Sequence, residues 1–363
     1  MAQQNIYAVI MAGGVGSRFW PRSRERSPKQ VLEIIGDGSM IFNTIARVQS
    51  MVPPEKTWIV TNKLHRDIVH QQVPFLPFQN ILTEPIGRNT APCIGLAALW
   101  ISRFDPDAIM VVLPADHLIR NREEFLRVLE RAIRVADEND ALVTIGIQPT
   151  HPETGYGYIQ FDDTADKNPY ANDGIYRVRT FAEKPNLETA ETFLKSGDFL
   201  WNSGMFIWKT RVILQEIEKH VPDLSAQLMK IEPTIGSDSY QTALERAYGV
   251  IRGLSIDYGV MEKASKVFVA KGDFGWSDVG SWDEVVRLTP ADTDGNAFRG
   301  TVITKDAHGN YVDAGGKVVA MIGVDDVIVV STDDALLICK KGRSQDVKEI
   351  VDYLRRKQIN ALL

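Results

Sequence analysis

Ile6-Tyr7-Ala8-Val9-Ile10-Met11-Ala12-Gly13-Gly14-Val15-Gly16-Ser17-Arg18-Phe19-Trp20-Pro21 decides the reading of this chain. A short apolar run that ends in glycines reads as a buried parallel strand leaving into a loop. Glycines at that exit let backbone N–H groups approach an anion closely, as a phosphate-binding turn requires. Two common templates fail here. A dinucleotide fingerprint needs a glycine three residues after Gly16, where Phe19 stands. A P-loop needs a Gly-Lys-Ser/Thr ending, which does not follow. Behind the glycines, Arg18, Arg22, Arg24, Arg26 and Lys29 crowd together, opposed only by Glu25. Arginine forks suit polyphosphate oxygens, and a lysine suits charge developing on a transferring phosphoryl group.

Outward from this stretch, similar apolar runs recur at Thr57–Val60, Ala108–Leu113, Ala141–Ile147 and Ser203–Trp208. Between them, Ile41–Met51, Ala91–Phe104 and Glu123–Glu138 carry apolar residues at helical spacing. Strands alternating with helices predict an α/β fold with a Rossmann-like, mixed but mostly parallel sheet flanked by helices. The texture changes after Trp282. Short runs at Val318–Ile322, Val327–Val330 and Ala335–Ile338 are broken by Gly and Asp clusters, which predicts short antiparallel or coiled strands. A final helix is expected at Gln345–Lys357. The division is placed at residues 1–287, catalytic, and 288–363, a small β-rich, β-helix-like domain with a terminal helix.

Composition narrows the function. The 363 residues carry 41 Lys and Arg against 47 Asp and Glu, a formal net charge of −6, which argues against a general binder of nucleic acid or membrane surfaces. Two cysteines make neither a disulfide framework nor a zinc cage. The N-terminus lacks the basic region and long apolar run of a signal peptide, and no apolar stretch would span a bilayer, so a cytoplasmic location is expected.

Gly13-Gly14-x-Gly16-x-Arg18-Phe19-Trp20-Pro21-x-Ser23-Arg24, followed by Pro28-Lys29-Gln30, closely resembles the signature of the sugar-1-phosphate nucleotidylyltransferases. Its Trp-Pro and Pro-Lys-Gln versions resemble the GDP-mannose pyrophosphorylase branch of that family. The resemblance implies that the backbone of Gly13, Gly14 and Gly16 and the Arg18 side chain hold a nucleoside triphosphate, with Lys29 at the reacting phosphate. Glu84-Pro85-Ile86-Gly87-Arg88-Asn89-Thr90 opens a helix, and in that branch it looks like the segment that reads base and ribose, through Glu84, Gly87, Asn89 and Thr90. A carboxylate at Glu84 suits the N1–H and 2-amino donors of guanine.

The acid of Leu113-Pro114-Ala115-Asp116 ends a strand, where ligands of open α/β sheets bind. By resemblance Asp116 and Asp278 form a Mg²⁺ pair, and with Arg18 and Lys29 they make the catalytic set. Gly157, Glu183, Lys184, Asn202, Ser203 and Asp257 match the family's segments around the sugar phosphate. The implied reaction is transfer of GMP from GTP to mannose 1-phosphate, giving GDP-mannose and pyrophosphate, in a homodimer. The same chemistry on another hexose 1-phosphate or nucleotide stays open, as does a non-catalytic sensor of nucleotide sugars. A degenerate sensor would be expected to lose Arg18, Lys29, Asp116 or Asp278, and all four are present. Bifunctional relatives carry an isomerase domain beyond such a tail, so a chain ending at Leu363 leads to the expectation of a single activity.

Overall fold

The computed structural model describes residues 5–164 and 168–363. Its strands, in chain order, are β1 (Ile6–Ala12), β2 (Thr57–Asn62), β3 (Ile81–Glu84), β4 (Ile109–Pro114), β5 (Leu118–Ile119), β6 (Leu142–Ile147), β7 (Gly157–Asp162), β8 (Ile175–Glu183), β9 (Phe199–Lys209), β10 (Val267–Gly272) and β11 (Trp276–Ser277), followed by β12 (Ala297–Lys305), β13 (Tyr311–Ile322), β14 (Val327–Ser331) and β15 (Leu336–Lys340). The helices are α1 (Met40–Val48), α2 (Arg66–Gln72), α3 (Thr90–Ser102), α4 (Arg122–Asn139), α5 (Leu187–Ser196), α6 (Thr210–His220), α7 (Pro222–Ile231), α8 (Tyr240–Val250), α9 (Trp282–Leu288) and α10 (Val347–Arg356).

Nine strands form the main sheet in the order β3-β2-β1-β4-β9-β6-β10-β8-β7. The expectation of a mostly parallel sheet needs correcting: four pairings are parallel and five antiparallel. The reason lies in the connections. A parallel neighbour needs a crossover long enough to span the sheet, and among the described residues no α-helix lies between β7 and β8, so those two strands turn back on each other. β9 inserts antiparallel between β4 and β6 and divides the sheet into two halves. The half made of β3, β2, β1 and β4 keeps the expected parallel run.

Alternate residues of β1 serve two cores, which is why its run is apolar throughout. Ala8, Ile10 and Ala12 join Ile41, Ile45, Phe125 and Leu129 from α1 and α4. Tyr7 and Val9 face the other way, toward Ile94, Leu96 and Ala98 of α3 and Ile213 and Leu228 beyond it. α3 is buried over nearly its whole circumference, so it reads apolar on every face rather than as a stripe.

The C-terminal strands are a coil. β12–β13 and β13–β14 pair in parallel, and β14–β15 antiparallel. Buried Asn296 and Asn310 stack on successive turns, the Asn310 backbone N–H donating to Asn296 Oδ1 at 2.9 Å. This coil does not stand apart. Its Ala297, Tyr311, Ile328, Val330 and Leu337, with Val347, Val351 and Leu354 of α10, share a third apolar core with Phe19, Trp20, Val279 and Trp282. Among the described residues no helix is long and apolar enough to cross a membrane.

Candidate active site

The carboxyl ends of β1, β3 and β4 lie side by side and open into one cleft. The glycine-rich loop leaves β1, Glu84 ends β3, and Asp116 follows β4, as expected for ligands at the carboxyl edge of parallel strands. The cleft has two chambers. A cavity of about 500 Å³ is lined by Gly13, Gly14, Glu84, Gly87, Asn89, Thr90, Gly157, Glu183, Asn202, Ser203 and Asp257. A smaller one of about 350 Å³ is lined by Gly16, Arg18, Lys29 and Asp116. His117 and Asp278 line both and mark the passage between them.

Lys29 is the hub of the smaller chamber. Its side chain is buried beneath Gly16, which has a φ of +73° and where a Cβ would come within 2.5 Å of Lys29 Cβ. Only glycine satisfies both the left-handed backbone and the close approach. The ammonium donates to Asp116 Oδ2 at 2.9 Å and to the carbonyl oxygen of Asp278 at 2.8 Å, so it ties the two acidic loops together. Burial raises the Asp116 pKa, but the charge of Lys29 and the hydrogen bond it donates outweigh that and hold it below the usual range. Burial lifts Asp278 above it, although the Tyr156 hydroxyl donates to its Oδ1 at 2.6 Å. His117 is neutral, its pKa pushed by burial to about 4. Trp276 Nε1–H donates to its Nδ1 at 3.1 Å, so the proton sits on Nε2. Two carboxylates in one chamber are hard oxygen donors, the set that Mg²⁺ takes together with substrate phosphates; these residues fit such an ion.

Glu84 lies on the larger chamber, where burial raises its pKa to about 7 against an opposing hydrogen bond from Tyr248, and its Oε2 faces Gly13 of the glycine-rich loop. Asn89, with a φ of +69°, caps α3 by accepting from the Thr90 N–H at 2.8 Å. Thr90 Oγ1 in turn accepts from the Ile256 N–H at 2.8 Å, which fastens the segment carrying Asp257 to this loop. Asn202 Nδ2 donates to Asp257 Oδ1 at 2.7 Å. The Ser203 hydroxyl is spent on the Ile145 carbonyl at 2.6 Å. Gly157 lies so close to Glu183 that a Cβ would come within 2.3 Å of its Oε2.

Not every basic residue of the motifs lines the cleft. Lys184 stands exposed and ion-paired to Glu183; unlike Glu183 it does not line the cleft. The basic cluster after the glycines divides. Arg22 bonds Asp313 at 2.5 Å, and Arg24 bonds Asp334 at 2.8 Å and the Leu362 carbonyl at 2.5 Å. These two arginines anchor the C-terminal coil, and of the cluster only Arg18 and Lys29 line the smaller chamber. Tyr156 and Trp276, which touch ring to ring at 5.3 Å, line the larger chamber and were not among the expected site residues. The Gly155-Tyr156-Gly157-Tyr158 run was the signal that could have found Tyr156.

Residues 7–295 match the family model described as nucleotidyl transferase. The chain belongs to the nucleotidyl transferase family. This nucleotidyl transferase also matches, over residues 300–354, the model described as a MannoseP isomerase/GMP-like beta-helix domain. It is 41% identical to a mannose-1-phosphate guanylyltransferase of Klebsiella pneumoniae, over 97% of the chain and 74% of that relative. It is 42% identical to mannose-1-phosphate guanylyltransferase ManC of Salmonella typhimurium strain LT2, over 98% of the chain and 74% of that relative. Among solved structures it is similar to one from Thermus thermophilus described as a mannose-1-phosphate geranyltransferase, at 32% identity and a TM-score of 0.86, covering 97% of this chain and 100% of the other.

Proposed function

We propose that this enzyme transfers GMP from GTP to α-D-mannose 1-phosphate, giving GDP-mannose and pyrophosphate. The buried Glu84 carboxyl on the wall of the larger chamber carries the reading. Guanine offers this carboxylate adjacent N1–H and 2-amino donors. Adenine has an acceptor at N1 and no 2-amino group. The names of the relatives from Klebsiella pneumoniae and Salmonella typhimurium support the same base and sugar.

Gly13 and Gly14 approach the triphosphate through backbone, while Glu183, Asn202 and Asp257 present the acceptors and donors that hexose hydroxyls need. A sugar phosphate oxygen attacks the α-phosphorus in line, and pyrophosphate leaves from the opposite side. The nucleophile is already an anion near neutral pH, so no side chain has to remove a proton. Catalysis then rests on positioning and on neutralising charge. Arg18 and Lys29 stabilise charge on the α-phosphate and on the leaving pyrophosphate. Lys184 reaches the sugar phosphate by exchanging its Glu183 partner. Asp116 and Asp278 would hold Mg²⁺, which when bound supplies positive charge to the reacting phosphate.

Pyrophosphate release tests this reading, with GTP, ATP, UTP and dTTP each offered mannose, glucose and fucose 1-phosphates, with and without EDTA. GTP with mannose 1-phosphate should be turned over fastest, and EDTA should abolish it. A preference for another nucleotide would overturn the role given to Glu84, and a preference for another hexose the sugar assignment.

A further inference from the structure

The C-terminal helix reaches the phosphate chamber. α10 buries Val347, Val351 and Leu354, whose helical spacing forms one apolar stripe against the core that holds Phe19, Trp20 and Trp282. The loop before it is pinned by Asp283, whose carboxylate accepts from the Gly342 N–H at 2.7 Å, the Ser344 N–H at 3.0 Å and the Ser344 hydroxyl at 2.5 Å. Asp283 sits in the first turn of α9, just after the Asp278 loop. The start of α10 is therefore clamped between the two loops that carry Arg18 and Asp278. Lys348 lies in that first turn, beside the buried Val347, and lines the smaller chamber with Gly16, Ser17, Arg18 and Lys29. It is exposed, and no group among the described residues pairs with it.

Charge explains what Lys348 would do there. Among the described residues no lysine or arginine lines the larger chamber. In the smaller one, Lys29 is already engaged by Asp116, which leaves Arg18 and Lys348 as its uncommitted cations. The terminal phosphates of a nucleoside triphosphate are its most densely charged part. Among the described residues, the cations that line the cleft all lie in this chamber, on the far side of the passage from Glu84 and Asp257. We propose that Lys348 binds the β- and γ-phosphates of the nucleotide, and hence the pyrophosphate product, making α10 part of the substrate site. The proposal rests on reading the cleft as a nucleoside triphosphate site, but not on which base or sugar it takes.

Titration calorimetry with magnesium pyrophosphate tests it on wild type, Lys348→Ala, Lys348→Arg, and Lys357→Ala at the other end of the helix, followed by steady-state kinetics on each. Lys348→Ala should weaken pyrophosphate binding and raise the KM for GTP roughly tenfold each, as expected for one charge-assisted hydrogen bond. The KM for the sugar phosphate should not move. Lys348→Arg should restore most of the loss, and Lys357→Ala should match wild type. Wild-type pyrophosphate affinity in Lys348→Ala would overturn the proposal. So would a rise in the sugar-phosphate KM in step with that for GTP, since that would mean a general loosening of the site. Pyrophosphate carries neither base nor sugar, so a wrong choice of GTP or mannose would leave the calorimetric result readable.

Discussion

Glu84 is divided between acid and carboxylate near neutral pH, because burial raises its pKa from 4.5 to about 7. In the role proposed for Glu84 only the carboxylate accepts from both guanine donors, so binding GTP should release a proton below pH 7. Linkage then requires the KM for GTP to fall as pH rises from about 6 to about 8, by up to tenfold per pH unit on the acid side. Calorimetry in buffers of different ionisation enthalpy should detect the released proton, and Glu84→Gln should flatten both dependences while weakening GTP. Stability of the free protein runs the other way. A carboxyl whose pKa is raised by folding binds more protons when folded, so its contribution is lost as pH climbs from 4.5 through 7. The wild type should lose stability relative to Glu84→Gln over that range, as followed by urea midpoints. Lys29 and Asp278 make a second test at this scale. Lys29→Ala should cut kcat by about a hundred- to a thousandfold with a smaller effect on GTP affinity, and Asp278→Asn should cost orders of magnitude in turnover with the fold intact. A near-normal rate for Asp278→Asn, read from pyrophosphate release, would remove Asp278 from the catalytic set.

At the level of elements, the loop after β1 and the short helix α9 depend on one another. Trp282 in α9 is 1% exposed, donates its indole N–H to the Trp20 carbonyl at 3.1 Å and packs on Phe19 at 5.2 Å. Trp282→Ala should cost about 3–5 kcal/mol, the usual range for emptying a buried aromatic site. It should also lower kcat, because Phe19 lies directly under the Lys29 ammonium, 5.1 Å from ring centre to nitrogen. Denaturant midpoints and turnover on one preparation would check both. Elements of this kind were partly legible in the sequence. β1, β4, β6, α1 and α4 are strongly patterned stretches located by their apolar spacing, and α3 is located by its nearly unbroken apolar run. Strand direction was not legible, because it is set by whether a connection crosses the sheet or turns back, as between β7 and β8. The cleft-lining residues at the ends of β1, β3 and β4 were readable because motif and strand end coincide. Lys348 was not, since it looks like any surface lysine until the packing of Val347 turns it toward Arg18. Arg22 and Arg24 misled for the complementary reason: their partners Asp313 and Asp334 lie far along the chain, where local patterning cannot reach.

For the whole molecule, the expected division at residues 287 and 288 meets a core that belongs to both sides of it. Phe19, Trp20, Val279 and Trp282 come from one side, and Tyr311, Ile328, Val330 and Val351 from the other. A boundary drawn through shared apolar packing is not a boundary in stability. Calorimetry should show one cooperative unfolding transition, with equal calorimetric and van't Hoff enthalpies, where separable domains would give two. The same packing sets an order of events in the cell. Trp20 donates its indole N–H to the carbonyl of Leu362, 342 residues away. At the usual pace of translation, roughly 5–20 residues per second, the glycine-rich loop waits tens of seconds for the residues that complete its packing. Until then Phe19 and Trp20 lack the coil residues that bury them.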